Sequence, residues 1–247
     1  MKQDILLREE IVSFLWDKDT KLYVHDTLES TNTEAKRLAG AGVSSGTAIL
    51  ADCQTGGRGR MGKSFLSPKG TGIYLSVILR HTLLTEELCL VTPAAAVAVC
   101  HAIEEACDVS PEIKWVNDLY TNGKKICGIL TELTADALII GIGVNCSTVF
   151  DGELAEIAGS LHQEGIRCRL AAEIINRIQS LEQVVKSKEF LTEYRSRSLL
   201  IGKEVMVVGE DSSYLAEDIG MQGELLLRAK DGTLRSLHCG EVSVRIK

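Results

Sequence analysis

A glycine- and arginine-rich run, Gly56-Gly57-Arg58-Gly59-Arg60-Met61-Gly62-Lys63-Ser64, matches two familiar phosphate-binding patterns, and the residues after it argue against both. Gly57-x-Gly59-x-x-Gly62 fits the dinucleotide-binding fingerprint, and Gly57 with Gly62-Lys63-Ser64 fits the P-loop. Each needs a strand before the run and a helix directly after it, because the phosphate rests on the helix N-terminus. A strand is predicted at 47–52. The helix is not: Pro68, Gly70 and Gly72 fall where its second and third turns would lie, and an apolar strand begins at Ile73. A Rossmann domain and a P-loop nucleotide hydrolase are thereby disfavoured. The chemistry common to such loops survives. Glycines let the backbone approach a ligand, and their amides can form an anion-binding nest. Arg58, Arg60 and Lys63 concentrate positive charge in a chain whose net charge is −7. The loop reads as a phosphate or carboxylate site, with a solvated basic turn as the plain alternative.

Elsewhere, strands alternate with helices but also form hairpins, which predicts an α+β fold with a mixed sheet rather than a doubly wound one. A strand starts at Leu22. It spans 22–26, and an alanine-rich helix ending at Gly40 follows, opened by Thr31-x-x-Glu34 as its capping box. Helical periodicity runs over 85–107, with Pro93 interrupting or starting its regular part. Short strands at 113–115 and 119–120 flank an Asn117-Asp118 turn, and 126–132 pairs with 137–144 as a hairpin. One long amphipathic helix carries Leu170, Ile174, Ile178, Leu181 and Val185 on one face. After Arg197 the period changes to two, around Val205, Val207, 223–227 and 241–246, with Asp231-Gly232 as a hairpin turn. That pattern predicts a small barrel of five short strands. The boundary is drawn at 198, giving units 1–198 and 199–247.

The acidic balance argues against generic nucleic-acid binding, which needs a basic face. The longest apolar stretches, 94–100 and 137–144, fall short of the ~20 residues that span a bilayer, so no transmembrane helix is expected. The first residues carry early acidic side chains and no export signal, which predicts a cytoplasmic protein. Eight cysteines are scattered with no C-x-x-C pair and no histidine at ligand spacing, so reduced thiols are expected and a zinc site is not.

Four further segments surround the loop: Glu29-Ser30-Thr31-Asn32, Lys114-Trp115-Val116-Asn117-Asp118, Lys124-Lys125-Ile126-Cys127-Gly128-Ile129-Leu130 and Gly141-Ile142-Gly143-Val144-Asn145. In this order the chain resembles biotin protein ligase (biotin–[acetyl-CoA-carboxylase] ligase) from about Tyr23 to its end. The resemblance implies a mixed-sheet catalytic domain followed by an SH3-like barrel. It implies that biotin and ATP give biotinyl-5′-AMP and pyrophosphate, and that biotin then passes to a lysine of a biotin carboxyl carrier domain. Mg²⁺ is expected with ATP and not in a protein metal site.

Carried residue by residue, Lys125 contacts the biotin carboxylate and the α-phosphate, and Arg58 and Arg60 fold over the adenylate. Ser30, Thr31 and Asn32 bond the ureido head, with Gln54 and Gly59 close by, and Gly128 permits close approach behind the carboxylate. Gly57, Asp118 and Asn145 fall on the adenylate side. Trp115 either packs behind the Asn117-Asp118 turn or walls the biotin pocket.

Met61 stands where many members carry a third loop arginine, and Val116 replaces a proline. No tryptophan near 158–160 offers adenine a stacking partner. The Ser-Thr-Asn motif begins at residue 30, leaving no room ahead of it for the winged helix-turn-helix of bifunctional members, so no DNA binding is expected. A homodimer is compatible with the sequence. Three alternatives stand beside this reading: a lipoate or octanoate ligase of the same fold, a P-loop-like hydrolase releasing ADP, and a binding protein without turnover. Arg58, Arg60 and Lys125 argue against the last, since a pure binder has no use for phosphate-side charge.

Overall fold

The computed structural model describes residues 4–238 and 244–246. Seven strands form one sheet: β1 Leu22–Leu28, β2 Ala48–Gln54, β3 Gly72–Leu79, β4 Glu112–Lys114, β5 Asp118–Thr121, β6 Lys124–Leu133 and β7 Leu138–Asn145, in the order β1-β2-β3-β7-β6-β5-β4. β1 and β2 run parallel and the remaining neighbours antiparallel, so the sheet is mixed as expected. Alternation sorts its two faces. Ile73, Leu75 and Val77 of β3 and Ile140, Ile142 and Val144 of β7 join the main core beneath α3 (Val91–Cys107) and α5 (Arg167–Gln179). Ile49, Ile78 and Ile139 point the other way, onto Ala35, Leu38 and Ala39 of α2 (Thr31–Gly40).

Pro93 lies in the first turn of α3, where its missing N–H has no helical partner to lose. A 3₁₀ turn, Thr85–Leu90, precedes it; the short helices α1 (Arg8–Phe14) and α4 (Leu154–Ile157) precede β1 and follow β7. By length and composition alone, Thr85–Cys107 could cross a membrane; 67% of its apolar window is buried within the fold, where α3 serves as the core helix.

The expected single amphipathic helix is two, α5 and α6 (Leu181–Ser187). Ser180 departs from helical geometry and its hydroxyl donates to the Arg177 carbonyl at 3.0 Å, a local bond that competes with the helical ladder. All five stripe residues are still buried. The capping box is also corrected. Ser30 occupies the N-cap without a side-chain bond, and Glu34 pairs with Arg37.

A second, five-stranded antiparallel sheet completes the chain: β8 Glu204–Val207, β9 Ser213–Ile219, β10 Leu225–Arg228, β11 Leu234–Leu237 and β12 Val244–Ile246, ordered β11-β10-β9-β8-β12. The Asp231-Gly232 turn is present, with Gly232 at φ 88°. Cys239 and the beginning of the expected last strand, 241–243, lie outside the described residues. Val205, Ala216, Ile219, Leu225 and Leu227 merge with the main core. Trp115 explains part of that union: it is buried, and its indole N–H donates to the Gly223 carbonyl at 2.9 Å. It is tied to the turn between β9 and β10 and does not line the cleft described below. The seven described cysteines are free thiols.

Candidate functional site

On the α2 side of the sheet, strand register builds rows of facing residues. Ser76 pairs with Gly141, which pairs with Leu130; the next row runs Tyr74, Gly143, Gly128 and Asp118. Helix α2 covers the neighbouring Ile78–Ile139 row and leaves these two open as a cleft floor. The glycines of β7 are required by what lies on them. A Cβ on Gly141 would stand 2.1 Å from Asn32 Oδ1, and one on Gly143 2.5 Å from the Phe65 ring. Asn32 and Phe65 therefore rest directly on the strand backbone.

One end of the cleft is a closed hydrogen-bond network. Gln54 Oε1 accepts the Thr31 backbone N–H at 2.8 Å, taking the place of a side-chain cap on α2, and lies 3.2 Å from Thr31 Oγ1. Gln54 Nε2 donates to Ser67 Oγ at 2.9 Å, and Ser67 donates to the Phe65 carbonyl at 3.0 Å. Ser76 Oγ sits 2.8 Å from Thr31 Oγ1 and 2.6 Å from Asn32 Oδ1. Asn32 Nδ2 donates to the Leu130 carbonyl and, at 2.8 Å, to Glu132. Glu132 also pairs with Lys36 and Arg58, at 2.7 and 2.8 Å. Burial would raise the Glu132 pKa, but the Lys36 and Asn32 hydrogen bonds and the Arg58 charge outweigh it and hold the carboxyl below its ordinary value.

The other end is cationic and incompletely bonded. Lys125 reaches it through a bulge. Leu119 pairs with Cys127 and Tyr120 with Lys125, so Ile126 is an extra residue on β6. Ile126 and Cys127 are consequently both in the core, and Lys125 turns onto the cleft face that strict alternation would deny it. Its Nζ lies 2.7 Å from Asp118 Oδ1, an ion pair without hydrogen-bond alignment. Arg60 donates through Nη1 to Asn117 Oδ1 at 3.1 Å, while its Nη2 is buried with no partner. Asn145 donates to the Gly159 carbonyl at 2.9 Å, and its Oδ1 is likewise unpartnered. Together with Gly159 N–H to Lys125 O and Leu161 N–H to Asn145 O, that bond straps residues 159–161 across the end of β6 and β7.

Ser30, Thr31, Asn32, Gln54, Arg58, Gly59, Arg60, Lys125 and Gly128 all line this single cleft. Gly57, Asp118 and Asn145 stand behind it rather than in its wall. Gly57 is backed against the loop itself, where a Cβ would meet the Phe65 carbonyl at 2.3 Å. Met61 is largely exposed at a positive φ of 54°. Sequence reasoning missed Ser76, Ser67, Phe65 and Glu132, and gave Asn117 no role of its own. Ser76 could have been noticed as the polar residue inside the apolar strand Ile73-Tyr-Leu-Ser-Val-Ile-Leu79. Among the described residues, no group of three His, Cys, Asp or Glu side chains could hold a metal ion.

Comparison with known proteins points the same way. Residues 24–147 match the model of the biotin/lipoate A/B protein ligase family. The chain is 33% identical over 246 residues to the bifunctional ligase/repressor BirA of Bacillus subtilis (strain 168), covering 90% of this chain and 74% of that one. It is 30% identical over 213 residues to the biotin–[acetyl-CoA-carboxylase] ligase of Mycobacterium tuberculosis, covering 80% and 79%. The biotin protein ligase of Aquifex aeolicus, solved in complex with biotin and ATP, superposes with a TM-score of 0.77 at 30% identity over 92% of this chain and 99% of that one. The matched span runs from the first sheet strand to just past Asn145 and so takes in the glycine-floored cleft, its network and its cationic loop: the chain belongs to the biotin/lipoate A/B protein ligase family.

Proposed function

We propose that this ligase activates biotin with ATP, forming biotinyl-5′-AMP and pyrophosphate, and transfers the biotinyl group to a lysine of a carboxyl carrier domain. The observation that carries the reading is one cleft whose two ends differ: a polar, prebonded end at Thr31, Asn32 and Gln54, and a cationic end at Lys125 and Arg60. Biotin has the matching polarity, with a ureido ring at one end and a carboxylate at the other. Lipoate would leave the first end's polar groups facing a dithiolane that cannot bond them, at a cost of about 1–3 kcal/mol for each unpaired group.

In this reading Lys125 and Arg60 let two anions meet. The biotin carboxylate oxygen attacks the α-phosphorus, the bond to the bridging oxygen breaks, and pyrophosphate leaves. Positive charge fixed in advance lowers the barrier because it need not reorganise as charge develops. The unpartnered Arg60 Nη2 is a donor available to a phosphate oxygen, and Arg58 can exchange Glu132 for the nucleotide. Mg²⁺ arrives with ATP. In the second half-reaction the carrier amine attacks the mixed anhydride, AMP leaves, and the amine gives up its proton. Residues 1–198 form the catalytic unit and 199–247 a smaller unit joined to it through Trp115.

Mass spectrometry after incubation with Mg-ATP and biotin, with lipoate in parallel, tests this. Biotinyl-AMP in the first tube alone is expected. A lipoyl adenylate would overturn the substrate, and ADP from both tubes would overturn the reaction class.

A further inference from the structure

We infer that Ser76, which is not in the cleft wall, is a positioning residue that makes Thr31 an acceptor only, so that the pocket selects ligands presenting N–H groups. The inference rests on the proposed activation of biotin and comes from counting protons. The Asn32 amide is oriented by two groups that can only accept, the Leu130 carbonyl and the Glu132 carboxylate, so its Oδ1 faces Ser76. Asn32 Oδ1 has no proton to give; the single proton of Ser76 must go to it, and Ser76 turns a lone pair towards Thr31. From the other side, the Phe65 carbonyl takes the Ser67 proton. Ser67 must then accept from Gln54 Nε2, and the Thr31 backbone N–H, which can only donate, itself fixes Gln54 Oε1 towards Thr31. Thr31 Oγ1 thus sits between two acceptors, Ser76 Oγ and Gln54 Oε1. Its one proton is committed to one of them, and only lone pairs remain for a ligand.

Ser76 is fully buried and Ser67 nearly so, which excludes water as a substitute donor that could reverse either chain. Glu132 anchors the first chain and is shared with Arg58 of the loop, so the polarity is set by the same carboxylate that holds the loop's first arginine. A site built to accept a ligand N–H rejects an analogue lacking it far more strongly than a site built on shape, because the opposed lone pairs repel and stay unpaired.

The test compares kcat/KM for biotin with that for its cyclic carbonate analogue, in which oxygens replace both ureido nitrogens. Ser76→Ala is expected to shrink the wild-type preference for biotin by at least about tenfold, since Thr31 can then turn its proton to a ligand, whereas Ser67→Ala, in which the Thr31 N–H still holds Gln54 Oε1, is expected to leave the ratio unchanged. The preference is a ratio, so a general loss of folded or active enzyme cancels, and the two variants lie in different elements. An unchanged ratio in Ser76→Ala, or an equal fall in Ser67→Ala, overturns the inference. If the wild type forms no biotinyl-AMP, the functional reading fails instead, and calorimetric affinities of the two compounds for the same three proteins still decide the polarity.

Discussion

The two ends of the cleft are built on opposite plans. At the Thr31 end, Gln54, Ser76, Asn32 and Ser67 bond one another through a network closed by backbone carbonyls and Glu132. At the Lys125 end, Arg60 Nη2 and Asn145 Oδ1 are buried without partners, and Asp118 Oδ1 has an ion pair but no aligned hydrogen bond. The difference teaches where binding and catalysis are separated. A prebonded pocket orders nothing further when a ligand arrives, so its contacts go into affinity and selection. The unpartnered Arg60 Nη2 is a donor whose cost is relieved where negative charge develops, whereas Asn145 Oδ1 and Asp118 Oδ1 are acceptors that need a donor.

The comparison breaks most visibly at Lys125. Lys125→Gln is expected to slow adenylate formation by about 100- to 1,000-fold, the scale of removing one preorganised charge donor. Biotin affinity, measured separately by calorimetry, should fall by only about tenfold, the loss of one charge-assisted bond to its carboxylate. A parallel collapse of both would mean that the two ends are one unit. Gly141→Ala attacks the opposite end. Its methyl group overlaps Asn32 Oδ1, so biotin affinity should fall while Mg-ATP affinity persists, with a stability loss of about 1–3 kcal/mol from overpacking. Loss of nucleotide binding instead would place the overlap's effect at the wrong end.

A milder probe sharpens the cationic half. Arg60→Lys keeps the charge but loses the planar fork that serves Asn117 with one nitrogen and leaves Nη2 for a ligand. About a tenfold rise in the KM for ATP is expected, with the KM for biotin nearly unchanged, from the loss of one charge-assisted bond. Equal rises in both constants would assign Arg60 to the biotin end.

Much of this site was legible because its chemistry is local. The broken helix after Gly62 rejected the P-loop, and the Ser30–Asn32 and Gly57–Arg60 positions fall on contiguous segments. What stayed hidden depends on register between distant strands. Ser76 meets Asn32 across 44 positions and Glu132 meets Asn32 across 100, and neither pairing leaves a local signal. Lys125 was identified by motif, yet alternation from Gly128 would have assigned it to the core face; only the Ile126 bulge explains its position. The capping box failed for a related reason. Gln54, from another strand, had already taken the Thr31 N–H.

The smallest expected effect concerns when the prebonded end is prebonded. Its anchor, Glu132, ionises more readily in the folded chain than at the ordinary value of 4.5, because its partners outweigh the cost of burial. A carboxylate with a depressed folded-state pKa contributes its full stability above the unfolded value and loses it as pH falls through the folded one. The difference in unfolding free energy between wild type and Glu132→Gln, of order 1 kcal/mol, should therefore be flat through neutral pH. It should shrink only as the pH drops below about 4.5. Denaturant titrations across that range measure it. A difference that already declines between neutral and mildly acidic pH would mean that another group anchors Asn32.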